Sequence, residues 1–144
     1  MADVDERFSY ALHTAARLWR QALDRRMKDL GISQSGWMTV ALVAKADRPL
    51  SQIELANALG IEGPSMVAML DRLMKSGLIL REASPTDRRV KLVMLTDAGA
   101  ALYSKVKSKS IVFRKELVKG LDAEELRIAT DLLERLQHML EEAE

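Results

Sequence analysis

The sequence predicts a mostly α-helical chain with one small β hairpin set between its fourth and fifth helices. Three observations predict this. Apolar residues recur three or four positions apart over both ends of the chain, the spacing of a helix face. That period gives way to short apolar runs only between Gly77 and Leu95. Each helical stretch is bounded by a capping residue, a glycine or a proline.

The first stripe is Phe8, Leu12, Ala15, Ala16, Trp19, Leu23, Met27 and Leu30, with Gly31 as its terminator. Ser33 caps a second helix reaching about Ala46, where Asp47-Arg48-Pro49 breaks it. Ser51-Gln52-Ile53-Glu54 is a capping box opening a short third helix that stops at Gly60. Gly63-Pro64-Ser65 opens a fourth, which ends at Gly77. Leu78 to Arg81 and Val90 to Leu95 read as strands around the turn-rich stretch Ala83 to Arg89. Thr96 and Asp97 begin a long fifth helix broken at Gly120, and a second capping box, Asp122 to Glu125, opens the last. Two helices joined by a tight turn and followed by a hairpin form a winged helix-turn-helix.

At 144 residues the chain is expected to be one domain. Residues 33–96 form the winged lobe, and residues 1–32 and 97–144 are helices that pair two copies. The terminal stripes, including Phe113, Leu117, Leu132, Leu136 and Leu140, are wider than one small lobe can cover, hence the expectation of a homodimer. With aromatics at 4%, the core is aliphatic.

Several function classes fall away. There is no cysteine, so disulfides, thiolate chemistry and cysteine-based zinc sites are excluded. His13 and His138 sit near opposite ends of the chain with no nucleophile motif, and Gly60 and Gly63 do not follow a strand as a phosphate-binding loop would. No catalysis, cofactor or metal is expected. Met1 to Arg7 carries acids rather than a basic start and an apolar run, and no apolar stretch approaches ~20 residues, so the expectation is a cytoplasmic protein without a membrane role.

Net charge is only +1, but it is unevenly placed. Arg17, Arg20, Arg25, Arg26 and Lys28 face Asp24 alone in one stretch; Arg72, Lys75, Arg81, Arg88, Arg89 and Lys91 dominate another; acids dominate from Glu116 onward. A basic middle suits phosphate, and double-stranded DNA is the expected partner. If Ile53, Leu55, Ala56, Leu59, Val67, Leu70, Leu73 and Met74 face inward, the fourth helix turns Gly63, Pro64, Ser65, Met66, Ala68, Met69 and Arg72 outward. Met66, Ala68 and Met69 would then touch thymine methyls, and Ser65 a base edge or phosphate. Ser51 and Gln52 stand at the start of the third helix. Arg88 and Arg89 at the hairpin tip suit phosphate or a narrow minor groove, and Asp87 is expected to hold one of them in place. The competing reading is a winged-helix module that binds protein instead of DNA; the modest net charge favours it and the basic tip opposes it.

The residues from Ser51 to Gly99 resemble the winged-helix core of the MarR family. The resemblance runs through Ser51-Gln52-Ile53-Glu54-Leu55-Ala56, Leu70-Asp71-Arg72-Leu73, Gly77-Leu78-Ile79, Asp87-Arg88-Arg89 and Leu95-Thr96-Asp97-Ala98-Gly99. Ala16-Arg17-Leu18-Trp19-Arg20, Ser33-Gln34-Ser35-Gly36-Trp37 and Gly60-Ile61-Glu62-Gly63-Pro64-Ser65 are similar to its SlyA branch. The resemblance implies a homodimeric transcription regulator on an inverted repeat, the fourth helix in the major groove and the wing in the minor groove. It also implies weak inhibition by small aromatic carboxylates, with Arg17, Ser35 and Trp37 lining the effector pocket. An arginine beside an indole suits such a ligand, as a fork for the carboxylate and a plate for the ring. The chain departs from the pattern at Ala68, where close relatives often carry arginine, and at Ser84-Pro85, where many have Asp-Pro.

Overall fold

The computed structural model describes residues 3–143. Met1, Ala2 and Glu144, assigned above to the pairing helices, lie outside the described residues. The chain divides into two compact units, one up to Ser110 and one from Ile111 onward.

In the first unit, α1 spans Val4–Arg26, capped by Asp3. It ends earlier than its stripe suggests. A 3-10 turn over Lys28–Leu30 follows, and Gly31 closes it at φ 68°, a left-handed conformation that glycine adopts without steric cost. α2 (Gln34–Lys45) begins at Ser33, whose hydroxyl accepts from the Gly36 N–H at 3.1 Å. The two-residue strand β1 (Leu50–Ser51), which the sequence pattern does not reveal, leads into α3 (Gln52–Leu59). α4 spans Gly63–Lys75 with Pro64 in its first turn. β2 (Ile79–Ala83) and β3 (Lys91–Leu95) are the wing strands, and the antiparallel sheet runs β1-β3-β2. Ile79 faces Leu95 and Ala83 faces Lys91 in register. The architecture is that of a mostly helical winged helix-turn-helix.

The main core gathers Leu55 and Ala56 of α3, Met66, Met69, Leu70 and Leu73 of α4, and Ile79 and Val93 of the sheet. Each of these side chains larger than alanine contributes roughly 1.5–3 kcal/mol by leaving water. A second cluster joins Met27, Trp37 and Val106, with Leu23 and Leu102 packed against it. Thr39 of α2 is fully buried, its hydroxyl donating to the Ser35 carbonyl at 2.7 Å.

The start of α5 (Asp97–Val118) is tied to the base of the wing. The Thr96 hydroxyl donates to the Gly77 carbonyl at 2.6 Å and accepts from the Gly99 N–H at 3.0 Å, while the Thr96 N–H donates to the Leu78 carbonyl. Gly99 passes so close to that carbonyl that any β-carbon would collide with it, which accounts for glycine in this turn.

The second unit contains the end of α5 and α6 (Ala123–Glu142). Asp122 caps α6 by accepting from the Glu125 N–H at 3.0 Å. Neither α1 nor α6 buries a single residue, and Phe8, Leu18, Trp19, Ile128, Leu132, Leu133 and Leu140 are exposed. Among the described residues no helix is long and apolar enough to cross a membrane.

Candidate nucleic-acid interface and adjoining cleft

The turn from α3 to α4 is built by local chemistry. Ser51 accepts from the Glu54 N–H at 3.0 Å and Glu54 accepts from the Ser51 N–H at 3.2 Å, which fixes the first turn of α3. Arg48 adds a two-pronged ion pair to Glu54, at 3.1 and 2.5 Å. The Arg48 hydrogen bonds and the Ser51 N–H hold the Glu54 carboxyl well below its ordinary range, at about 2. Ser51 is thus buried and committed to the cap. Gly60 closes α3 at φ 65°, and α4 starts three residues later.

The outer face of α4 differs from the sequence expectation in phase. Met66 and Met69 are 1% and 3% exposed and belong to the core, so they cannot reach a ligand outside the lobe. Val67 and Met74, expected inside, are exposed, as is Ile53 on α3. The inward set Met66, Met69, Leu70 and Leu73 is one stripe at helical spacing, shifted by one position from the expected one. The exposed face carries Gly63, Pro64, Ser65, Val67, Ala68, Arg72 and Lys75.

Between β2 and β3 the wing tip presents both of its arginines to solvent, in different states. Arg89 is held by Asp87, with its Nε 3.1 Å from Oδ1 and its Nη2 3.2 Å from Oδ2, and its backbone N–H adds a bond at 3.0 Å. The Arg89 side chain keeps the Asp87 carboxyl below its usual range. No hydrogen bond or ion pair among the described residues engages Arg88. Asp87 therefore shapes the tip, and Arg88 remains available.

At the wing base, Arg81 joins three elements. It pairs with Asp71 of α4, donates to the Gln52 side chain of α3 at 3.2 Å, and brings its Nε to the Met74 sulfur at 3.0 Å. Arg81 sets the angle between wing and α4. Sequence spacing gave no sign of this, because its partners lie 10 and 29 residues away.

On another side of the lobe, a cleft of about 370 Å³ is lined by Arg17, Arg20 and Gln21 of α1, Gln34, Ser35 and Met38 of α2, and Leu59 and Ile61. Arg17 and Ser35 are thus brought together. Trp37 is not. Its indole is buried in the second cluster and its Nε1 donates to Asp24 at 2.8 Å, because a buried indole N–H needs a partner and Asp24 of α1 supplies one. The expected aromatic plate is a core residue, and the cleft is walled by two arginines, Gln21, Gln34 and Ser35, with Met38, Leu59 and Ile61 as its apolar part.

The MarR family profile matches residues 32–91. A solved structure, transcriptional regulator PA3341, is 33% identical, with 94% of this chain and 98% of that chain covered at a TM-score of 0.85. The chain belongs to the MarR family.

Two further structures share the MarR fold. Wild-type MarR from E. coli, in its apo form, is 24% identical, with 94% of this chain and 98% of that one covered and a TM-score of 0.78. CouR from Rhodococcus jostii RHA1, solved bound to p-coumaroyl-CoA, is 19% identical over 94% of this chain and 95% of that one, also at 0.78. The MarR profile takes in α2, α3, α4, β2 and the wing tip, the elements that carry the outer face of α4 and the free arginine.

Proposed function

We propose that this MarR-family protein is a cytoplasmic, sequence-specific transcription regulator that binds an inverted repeat as a homodimer and has no catalytic role. The observation that carries this is the pairing of an exposed α4 face with an adjacent wing whose Arg88 is unengaged. α4 enters the major groove with Gly63, Pro64, Ser65, Ala68 and Arg72 toward the bases, and Gln52 stands beside them at the start of α3. Arg88 reaches phosphate or the minor groove, with Arg89 and Asp87 holding the loop. Residues 33–96 act as the DNA-binding lobe. Residues 1–32 and 97–144 pair two copies, supported by two helices with exposed apolar stripes and no buried residue. Short and apolar contacts from Ala68 and Val67 favour an A/T-rich site, its half-sites about one helical turn, ~10 base pairs, apart.

The Arg17 cleft is the proposed effector site, for a small aromatic carboxylate whose anion is gripped by Arg17 and bonded by Ser35. A ligand there touches α1 of the pairing region and α2 of the lobe, so it biases the spacing of the two recognition helices. Tenfold inhibition requires ~1.4 kcal/mol of preference for the DNA-incompetent spacing. Footprinting on the DNA flanking its own gene tests the main reading: two symmetric protected half-sites are expected, and no protection at any concentration contradicts it. Salicylate at millimolar level should weaken that binding in wild type and leave the Arg17→Ala protein unaffected; equal inhibition of both excludes the cleft as the effector site.

A further inference from the structure

The chain has no cysteine, so its sulfur chemistry rests on methionine alone. The methionines are sheltered to different degrees. Met27, Met66 and Met69 are buried in the two cores, and Met38 and Met94 are half-buried. Met74 on α4 and Met139 on α6 are exposed. Met139 belongs to a helix assigned to pairing, whereas Met74 stands where α4 meets the wing. Its sulfur is held in a specific contact there. The Nε–H of Arg81 on β2 donates to it at 3.0 Å, while the same guanidinium pairs with Asp71 and donates to Gln52 Oε1 at 3.2 Å. A thioether is a weak acceptor with two lone pairs, so this bond leaves one pair for an electrophile.

We propose that Met74 is an oxidation site through which a peroxide resets the wing and weakens duplex binding, an inference that rests on α4 and the wing being the DNA-binding surface. The Met74 sulfur attacks one peroxide oxygen as the O–O bond breaks. An S–O bond forms, the sulfur loses two electrons and the peroxide is reduced. The departing hydroxide takes the proton left on the transferred oxygen and leaves as water. The Arg81 guanidinium beside the sulfur lowers the cost of negative charge on the departing oxygen. The sulfoxide cannot keep the present geometry. An N···S contact of 3.0 Å has no room for an oxygen between the two atoms, and oxidation turns an apolar side chain into a polar one. The sulfoxide oxygen is a stronger acceptor than the thioether and draws the guanidinium away from Asp71 and Gln52. Arg81 then no longer joins α3, α4 and β2 in one arrangement, and the wing loses its fixed angle to α4.

Treatment of the full-length protein with hydrogen peroxide tests this, with each methionine followed by peptide mass and the affinity for a labelled random duplex measured on the same samples. Met74 sulfoxide should form at least about tenfold faster than the sulfoxides of Met27, Met66 and Met69. Duplex affinity should fall at least about fivefold in proportion to Met74 sulfoxide, and a methionine sulfoxide reductase should restore it. Met74→Leu, close in volume but without an oxidisable sulfur, should keep whatever affinity it starts with under the same treatment. In the free protein the Arg81 Nε–H resonance should move as Met74 oxidises. Met74 oxidation no faster than that of the buried methionines, unchanged affinity at full Met74 oxidation, or an equal loss in Met74→Leu overturns the proposal. A protein that binds no duplex before treatment overturns the functional reading instead. The Arg81 resonance then decides alone, and if it stays unmoved the oxidation site falls as well.

Discussion

Replacing Met66 with alanine tests which face of α4 the core occupies. Met66 is 1% exposed and packs in the cluster that contains Leu55, Leu70 and Val93. Truncating a buried methionine removes its transfer free energy and leaves a cavity, at a cost of roughly 2–5 kcal/mol. Val67, one position on and 40% exposed, should lose within about 0.5–1 kcal/mol on truncation. Urea unfolding at one fixed protomer concentration separates the two. With a slope of roughly 2 kcal/mol per molar, a 3 kcal/mol loss lowers the midpoint by about 1.5 M, whereas Val67→Ala moves it by at most about 0.5 M. Concentration is held constant because subunit association would add to apparent stability. A Met66→Ala protein with an unchanged midpoint, or a larger loss in Val67→Ala, would refute the assignment of the inner face and restore Met66 to the candidate readers.

The wing arginines should behave differently: Arg88→Ala should weaken binding to all duplexes and reduce the salt slope by about one per lobe, hence about two for the homodimer, while Arg89→Ala acts by releasing Asp87, and its effect should be reproduced by Asp87→Asn. Equal behaviour of Arg88→Ala and wild type removes the wing from the interface. Gly99→Ala should cost about 1–3 kcal/mol, since its β-carbon has to displace the Leu78 backbone; an unchanged melting temperature contradicts that packing. The Glu54 carboxyl is depressed from 4.5 to about 2 by Arg48 and Ser51, so its contribution is complete above 4.5 and is lost as pH falls toward 2. Its side chain is 40% exposed, which discounts the effect to roughly 1 kcal/mol. Glu54→Gln should therefore lower stability at neutral pH and flatten its fall between pH 4.5 and 2, and a curve parallel to wild type would speak against the ion pair.

What could be read from the sequence was local. The capping serines and aspartate, Gly60 and Gly77 placed the helix ends because each acts within four residues of itself. β1 stayed hidden because two residues carry no period, and its pairing with β3 is made across some 40 residues of chain. The phase of α4 was ambiguous for a definite reason: Val67-Leu70-Leu73-Met74 and Met66-Met69-Leu70-Leu73 both follow helical spacing and share Leu70 and Leu73. The position of Ile79 and Val93 in the sheet decides between them, and that is tertiary information. Trp37 was expected as a ligand plate from the family resemblance and the fit of an indole to an aromatic acid, yet it lies two residues from Ser35 on α2, and residues two apart on a helix point to different sides. Arg17 and Ser35 line one cleft, and the Arg81 hub, built from α3, α4 and β2, had no local signature.

The most direct measurement is the affinity of the unmodified protein for a labelled random duplex as salt is raised from 50 to 200 mM. Each phosphate neutralised contributes about −0.9 to the slope of log affinity against log salt. Two lobes, each presenting Arg88 and the cationic outer face of α4, predict a slope of about −4 or steeper. No detectable binding at 50 mM, or binding indifferent to salt, would contradict the account and support a winged helix that recognises protein.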